Sequence, residues 1–154
     1  MIFIGIIGVV FLLDYFAKQR AEKELGPQEV KEVAHGNVRL QKLYNKGIAF
    51  GWFQGKENIT IIATAMVMGV MLASFWAIVF KKGRGLNKLG YAFIIGGGLN
   101  NLYERFTKGY VTDYFSFNVK WEKLKRLVFN ISDMFILLGA VLVVLGKIFG
   151  NKDK

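Results

Sequence analysis

The sequence predicts a membrane α-helical protein of four transmembrane helices in one domain, and three observations carry that expectation. Residues 59–80, ITIIATAMVMGVMLASFWAIVF, contain no charge, and roughly 20 apolar residues in a helix cross the hydrocarbon core of a bilayer. Runs at residues 1–17 and about 132–149 are nearly as apolar. The chain as a whole, 154 residues, is 53% hydrophobic and 15% aromatic, a length suited to one domain.

Taken in order, residues 1–17, MIFIGIIGVVFLLDYFA, are broken only by Asp14. They have neither the basic start nor the small-residue cleavage site of a removed leader, so they read as a retained span. Residues 19–57 form a long polar connection. Within it NVRLQKLYNKGIAFG partly alternates and contains turn formers, which predicts a small sheet. After the span at 59–80, KKGRGLNK (residues 81–88) is a tight basic loop.

Residues 86–104 are the weakest span by hydropathy. Their triple glycine, Gly96 to Gly98, suits close approach of helices in a membrane. Asn100, Asn101, Glu104 and Arg105 at the far end belong against a bundle interior or water, not lipid. In the connection that follows, apolar or aromatic residues recur at 115, 117, 119 and 121 of YFSFNVKW, a period of two that predicts a strand at the membrane surface. The last span opens with FNISD.

The net charge of +10 does not indicate nucleic acid, because such a domain has no use for these apolar runs. Basic residues flanking spans and facing membrane phospholipids account for it better. The absence of cysteine excludes disulfides, thiolate metal sites and a cysteine nucleophile. The single histidine, His35, excludes a multi-histidine site and reads as a solvated loop residue, so neither metal nor cofactor is expected. Four spans put both termini on one side. The side of the two long connections, Lys18 included, holds two-thirds of the 21 Lys and Arg, which by the positive-inside count places them in the cytoplasm. The denser charge of 81–88 argues the opposite, and charge counting leaves the orientation open.

There are only four aspartates: Asp14, Asp113, Asp133 and Asp153. With the last two spans antiparallel, Asp113 and Asp133 fall at one membrane face, near Asp14 and the end of the 19–57 connection. Two adjacent carboxylates share a proton, because both cannot ionise cheaply, and the pair can hold and activate a water for peptide hydrolysis. The competing account makes Asn130 a helix N-cap with Asp133 third in the first turn, and Asp113 a turn residue. A serine–lysine pair using Ser116 or Ser132 is also formally open.

Four stretches, in order along nearly the whole chain, resemble the motifs of bacterial lipoprotein (type II) signal peptidases, the membrane aspartic peptidases. LDYFAK supplies Asp14 and Lys18; NKGIAFG supplies Asn45, Gly47, Phe50 and Gly51; GGGLNNLYERFTKGYVTDYF supplies Gly97, Asn101, Arg105 and Asp113; FNISD supplies Asn130 and Asp133. The departures are Asn100, where that family usually has glycine, and Glu104, where it usually has aspartate.

The resemblance implies removal of the signal peptide from prolipoproteins, with cleavage just before a diacylglyceryl-modified cysteine. It implies a catalytic pair of Asp113 and Asp133, with Asp14, Lys18, Asn45, Gly47, Gly97, Asn101, Arg105 and Asn130 binding substrate or shaping the site. It further implies a multi-pass location in the bacterial cytoplasmic (inner) membrane with the active site at the outer face, a small extracytoplasmic β-rich cradle, residues 19–57 and 105–129 outside, and inhibition by globomycin-type peptides. The alternatives are a small transport or coupling protein, which would want its carboxylates near mid-bilayer, and a lipid-binding scaffold that tolerates Asp→Asn changes.

Overall fold

A computed structural model describes residues 1–47 and 55–149; Phe50 and Gly51 of the NKGIAFG motif lie outside the described residues. Helix α1 (Ile2–Glu24) leads into β1 (Val30–Val33) and β2 (Val38–Asn45). Then come α2 (Glu57–Val79), α3 (Gly85–Lys108), β3 (Val111–Phe117), the single turn α4 (Glu122–Lys125) and α5 (Ile131–Phe149). The three strands form one antiparallel sheet in the order β1-β2-β3.

Helices α1, α2 and α5 are each long and apolar enough to cross a membrane. Of the four spans expected from sequence, α3 has the length, 24 residues, without the apolarity. Its composition explains this, since polar residues lie toward both of its ends and most of them turn inward. Asn100, Asn101, Glu104 and Arg105 are all buried, and α3 packs against α1, α2 and α5 together. The outer faces are the reverse: Val9, Phe16, Met66, Trp76, Leu137 and Phe149 are exposed while Asp14, Lys18 and Asn130 are buried. Polar inside and apolar outside is the distribution a lipid solvent favours.

The glycines let α3 lie against its neighbours backbone to backbone. A Cβ on Gly90 would stand 2.6 Å from the carbonyl oxygen of Gly139, and one on Gly97 would stand 2.6 Å from that of Ser132. On the α1 side, a Cβ on Gly96 would meet Val10 at 2.7 Å. Met68, Phe75 and Ile95 fill the α2–α3 contact.

Two elements differ from the sequence expectation at their ends. Helix α1 continues past residue 17 to Glu24, and its last carbonyls accept from the Lys42 ammonium, Leu25 O at 2.7 Å and Glu22 O at 3.3 Å. That bond ties β2 to the helix and supplies positive charge where the helix dipole wants it. Strand β3 spans 111–117 and does not extend to 119 or 121. It ends where Asn118 turns to the β1–β2 hairpin, its side chain donating to Gly36 O and its backbone N–H to Asn37 O, both at 2.8 Å. At that hairpin tip His35 is exposed with a φ of 58°.

The sheet sits over one end of the bundle. Asn45 pairs with Val111 and Leu43 with Asp113, with a register irregularity between Leu40 and Leu43. On the other side of β3, Phe129 bridges to Phe115, donating to Phe115 O at 2.7 Å, while Tyr114 donates to Phe129 O at 2.9 Å. The residue before the α5 cap is thereby stitched to the strand that carries Asp113.

Candidate active site

Asp113 and Asp133 come from different elements, β3 and the first turn of α5, and one residue joins them. Asn130 donates its amide Nδ2–H to Asp113 Oδ1 at 2.7 Å. Its backbone N–H donates to Asp133 Oδ2 at 3.1 Å, while its Oδ1 accepts from the Asp133 backbone N–H at 2.9 Å. The last two bonds are a reciprocal capping box at the start of α5. The sequence offered capping or pairing as alternatives for Asp133; the geometry has the cap and the juxtaposition together.

The other carboxylate oxygens also face amides. Asn45 donates to Asp113 Oδ2 at 3.1 Å and Asn101 donates to Asp133 Oδ1 at 3.2 Å. Each of the three asparagines has its own carbonyl oxygen taken by a donor that cannot accept: Gly47 N–H at 3.0 Å for Asn45, Lys18 Nζ at 2.7 Å for Asn101, and Asp133 N–H for Asn130. The amide orientation follows, with every NH₂ aimed at a carboxylate. Among the described residues neither Asp113 nor Asp133 makes an ion pair; the nearby cations, Arg105 and Lys18, act on both carboxylates through space and without direct contact. Asp113 is 2% exposed. Burial, with the nearby charge of Asp133 second, pushes its carboxyl up to about 7. Asp133 is only partly buried.

Behind this pair lies a buried charge cluster centred on Lys18. Its ammonium reaches Asp14 and Glu104, each at 2.9 Å, as well as Asn100 Oδ1 at 2.8 Å and Asn101. Among the described residues Asp14 makes no hydrogen bond to Asp113 or Asp133. It accepts from Tyr114 Oη and Ile131 N at 3.1 Å and from Ser132 Oγ at 2.6 Å, and so fixes the first turn of α5. Arg105 donates to Gly47 O at 2.9 Å and to Asn101 O at 3.5 Å, and among the described residues its buried Nε has no hydrogen-bond partner. Gly47 is thus held at both backbone groups, by Asn45 and Arg105. Gly97 supports the site from beneath, where its missing Cβ makes room for Ser132 O.

Asn100 and Glu104 are legible in the sequence as polar residues at the end of the third span and as departures from a motif, whereas Tyr114, Glu22 and Thr112 are not singled out at all. Lys108, given no role by the sequence, pairs with Glu22 at 2.7 Å and Glu104 at 2.9 Å. The serine–lysine alternative has no geometry to support it: Ser116 accepts from Gln41 at 2.8 Å and Ser132 donates to Asp14. Among the described residues no cluster of three or more metal-ligating side chains exists.

The sequence profile of the family described as signal peptidase (SPase) II matches residues 6–149. The lipoprotein signal peptidase of Fusobacterium nucleatum is 32% identical over all of this chain and 90% of its own length. That of Halothermothrix orenii is 32% identical over 94% of this chain and 93% of its own. Among solved structures, a bacterial membrane enzyme determined by the in meso method at 2.3 Å resolution superposes with a TM-score of 0.84 at 21% identity, covering 99% of this chain and 92% of that one.

Proposed function

The chain belongs to the signal peptidase II family and removes signal peptides from prolipoproteins, and from that premise we propose that Asp113 and Asp133 activate the water that cuts the peptide. The observation that carries this assignment is Asn130, one side chain and one backbone N–H holding both carboxylates. At rest the more buried Asp113 keeps a proton and Asp133 is ionised. Asp133 takes a proton from the water as its oxygen adds to the scissile carbonyl carbon, and Asp113 gives its proton to the carbonyl oxygen. Collapse of the resulting diol breaks the C–N bond. The proton gained by Asp133 goes to the leaving amine, and Asp113 recovers its own from the diol hydroxyl. Asn45 and Arg105, by holding Gly47, shape the chain beside the pair.

The substrate on this reading is a prolipoprotein whose diacylglyceryl cysteine follows the cut, with the lipid lying beside the bundle. Helix α3 is the fourth span, with most of its buried polar side chains bonded to α1, α5, the strand β3 and the loops beside it. The chain forms one integral domain in the bacterial cytoplasmic membrane. Phospholipids cover the exposed faces of α1, α2 and α5, the sheet lies at the outer surface, and globomycin-type peptides compete for the site.

Purified protein in detergent is expected to shorten a diacylglyceryl-modified prolipoprotein, and failure to do so would sink the assignment. The sign of its pH dependence follows from Asp113. A carboxyl raised to about 7 holds its proton below that pH and loses it above, so the active protonation state is present on the acid side. The rate is expected to fall about tenfold per pH unit above neutrality; a rate that climbs steadily to about pH 9 would exchange the roles of the two aspartates or remove Asp113 as the acid. For orientation, single cysteines at Lys31 and Lys82 should respond oppositely to an impermeant thiol reagent on intact cells, position 31 reacting. Reaction of position 82 alone would invert the topology.

A further inference from the structure

Two carboxylates outside the dyad converge on one threonine. Thr112 Oγ1 lies 2.9 Å from Glu22 Oε1 and 2.9 Å from Glu104 Oε1, and its backbone N–H donates to Glu104 Oε2 at 2.9 Å. Lys108 Nζ bridges the same two acids. Thr112 is fully buried and directly precedes Asp113. Alternation along a strand sends the two side chains to opposite faces, Thr112 toward the ends of α1 and α3, Asp113 toward Asn45 and Asn130.

We propose that Thr112, clamped by Glu22 and Glu104, is a positioning residue that sets where the Asp113 carboxyl stands relative to Asp133. This rests on the dyad reading above. The clamp grips the strand from the face opposite the dyad and at the adjacent residue. Glu104 spans the turn between α3 and β3, accepting the Thr112 N–H at one oxygen and facing at the other the hydroxyl, whose single proton it shares with Glu22, so the strand cannot slide along its axis without breaking these contacts. Glu22 adds a tether from α1, the helix that also carries Asp14 and Lys18. The clamp and Asn130 therefore hold β3 from its two sides, and displacement of a reacting group by about 1 Å can cost on the order of 10²-fold in rate.

Thr112→Val tests this, because valine keeps the shape and removes the hydroxyl, while Lys108 remains paired with both acids and no charge is stranded. The expected result is a folded protein with kcat lowered roughly tenfold or more and KM for the prolipoprotein unchanged. Thr112→Ser, which restores the hydroxyl, should recover kcat to within about threefold. Wild-type kcat in folded Thr112→Val, a change in KM alone, or no recovery with serine would each overturn the clamp. Should Thr112→Val fail to fold, Glu22→Ala at the partly exposed tether is the second variant; it should lower kcat with KM unchanged, and wild-type kcat there would also overturn it. Asp113→Asn in the same assay separates the two levels: an active Asp113→Asn refutes the dyad itself, whereas an inactive one beside a fully active Thr112→Val refutes only the clamp.

Discussion

Asp113→Asn is expected to yield an inserted, folded protein that cleaves prolipoprotein at least about 10³-fold more slowly, the scale on which a positioned acid or base acts, and Asp133→Asn should do the same. The stability cost is small for a physical reason. Each carboxylate oxygen accepts from an amide or backbone N–H, so an asparagine keeps one of those bonds and turns its NH₂ against another donor, a loss of about 1–3 kcal/mol. Removal of a buried ionisable group offsets part of that. An amide can neither give up a proton to a carbonyl oxygen nor take one from water. Cleavage followed by the gel shift of the shortened product, beside thermal unfolding in the same detergent, distinguishes lost chemistry from lost fold. Turnover within tenfold of the parent by either variant would remove that residue from the mechanism.

Gly97→Ala carries the second large effect, through sterics alone. The added Cβ would stand 2.6 Å from Ser132 O and 3.2 Å from Ile136 Cγ1, and a backbone carbonyl cannot swing aside as a flexible side chain can. The start of α5 must shift away from α3, and Asp133 sits one residue beyond Ser132. Overpacking of this kind costs roughly 1–3 kcal/mol, and the displacement should add a loss of activity on the order of 10²-fold. Gly90→Ala makes the comparison sharp: it also presses on a backbone carbonyl, that of Gly139, but further along the helix from the dyad. Equal destabilisation with much less loss of turnover is expected there. Gly69→Ala, where a Cβ meets nothing within 4 Å, should be neutral. A Gly97→Ala protein that turns over like Gly90→Ala would break the link between the close approach and the site.

Asp113 and Asp133 could be read from the chain because there are only four aspartates, and Asn101, Arg105 and Asn130 because they are polar residues stranded at the ends of apolar runs; Asn45 and Gly47 are implied only by the motif resemblance. The partners of these residues could not be read. Lys18 meets Asn101 across 83 positions, and Tyr114 meets Asp14 across 100; no periodicity encodes such pairings. Helix α3 is the weakest of the expected spans by hydropathy for the same reason that it matters, since hydropathy counts its buried Asn, Glu and Arg as if lipid had to solvate them. The over-long reading of β3 came from alternation of an aliphatic Val119 and an aromatic Trp121 that outlasts the ladder, which Asn118 ends. Lys108 looked idle because two acids on separate helices make it otherwise. Position 104 shows the limit most clearly: a longer acid where an aspartate is usual reads as a minor departure, yet it bonds Lys18, Lys108 and Thr112 at once.

The polarity that α3 needs at its buried face has a consequence for biosynthesis. A segment with Lys88, Glu104 and Arg105 among its 24 residues partitions poorly from the translocation machinery into lipid by itself, since each charge near a span's centre costs about 2.5–3.5 kcal/mol and less toward its ends. Helix α2 has the opposite character: its long apolar stretch gives no hydrogen bond to either dyad carboxylate or to the asparagines around them among the described residues. It is joined to α3 by only a few residues and packs against it through Met68 and Phe75. On the reading that α3 is the fourth span, the two would enter the bilayer most cheaply as one hairpin, the apolar arm carrying the polar one, which would give α2 a part in making the enzyme.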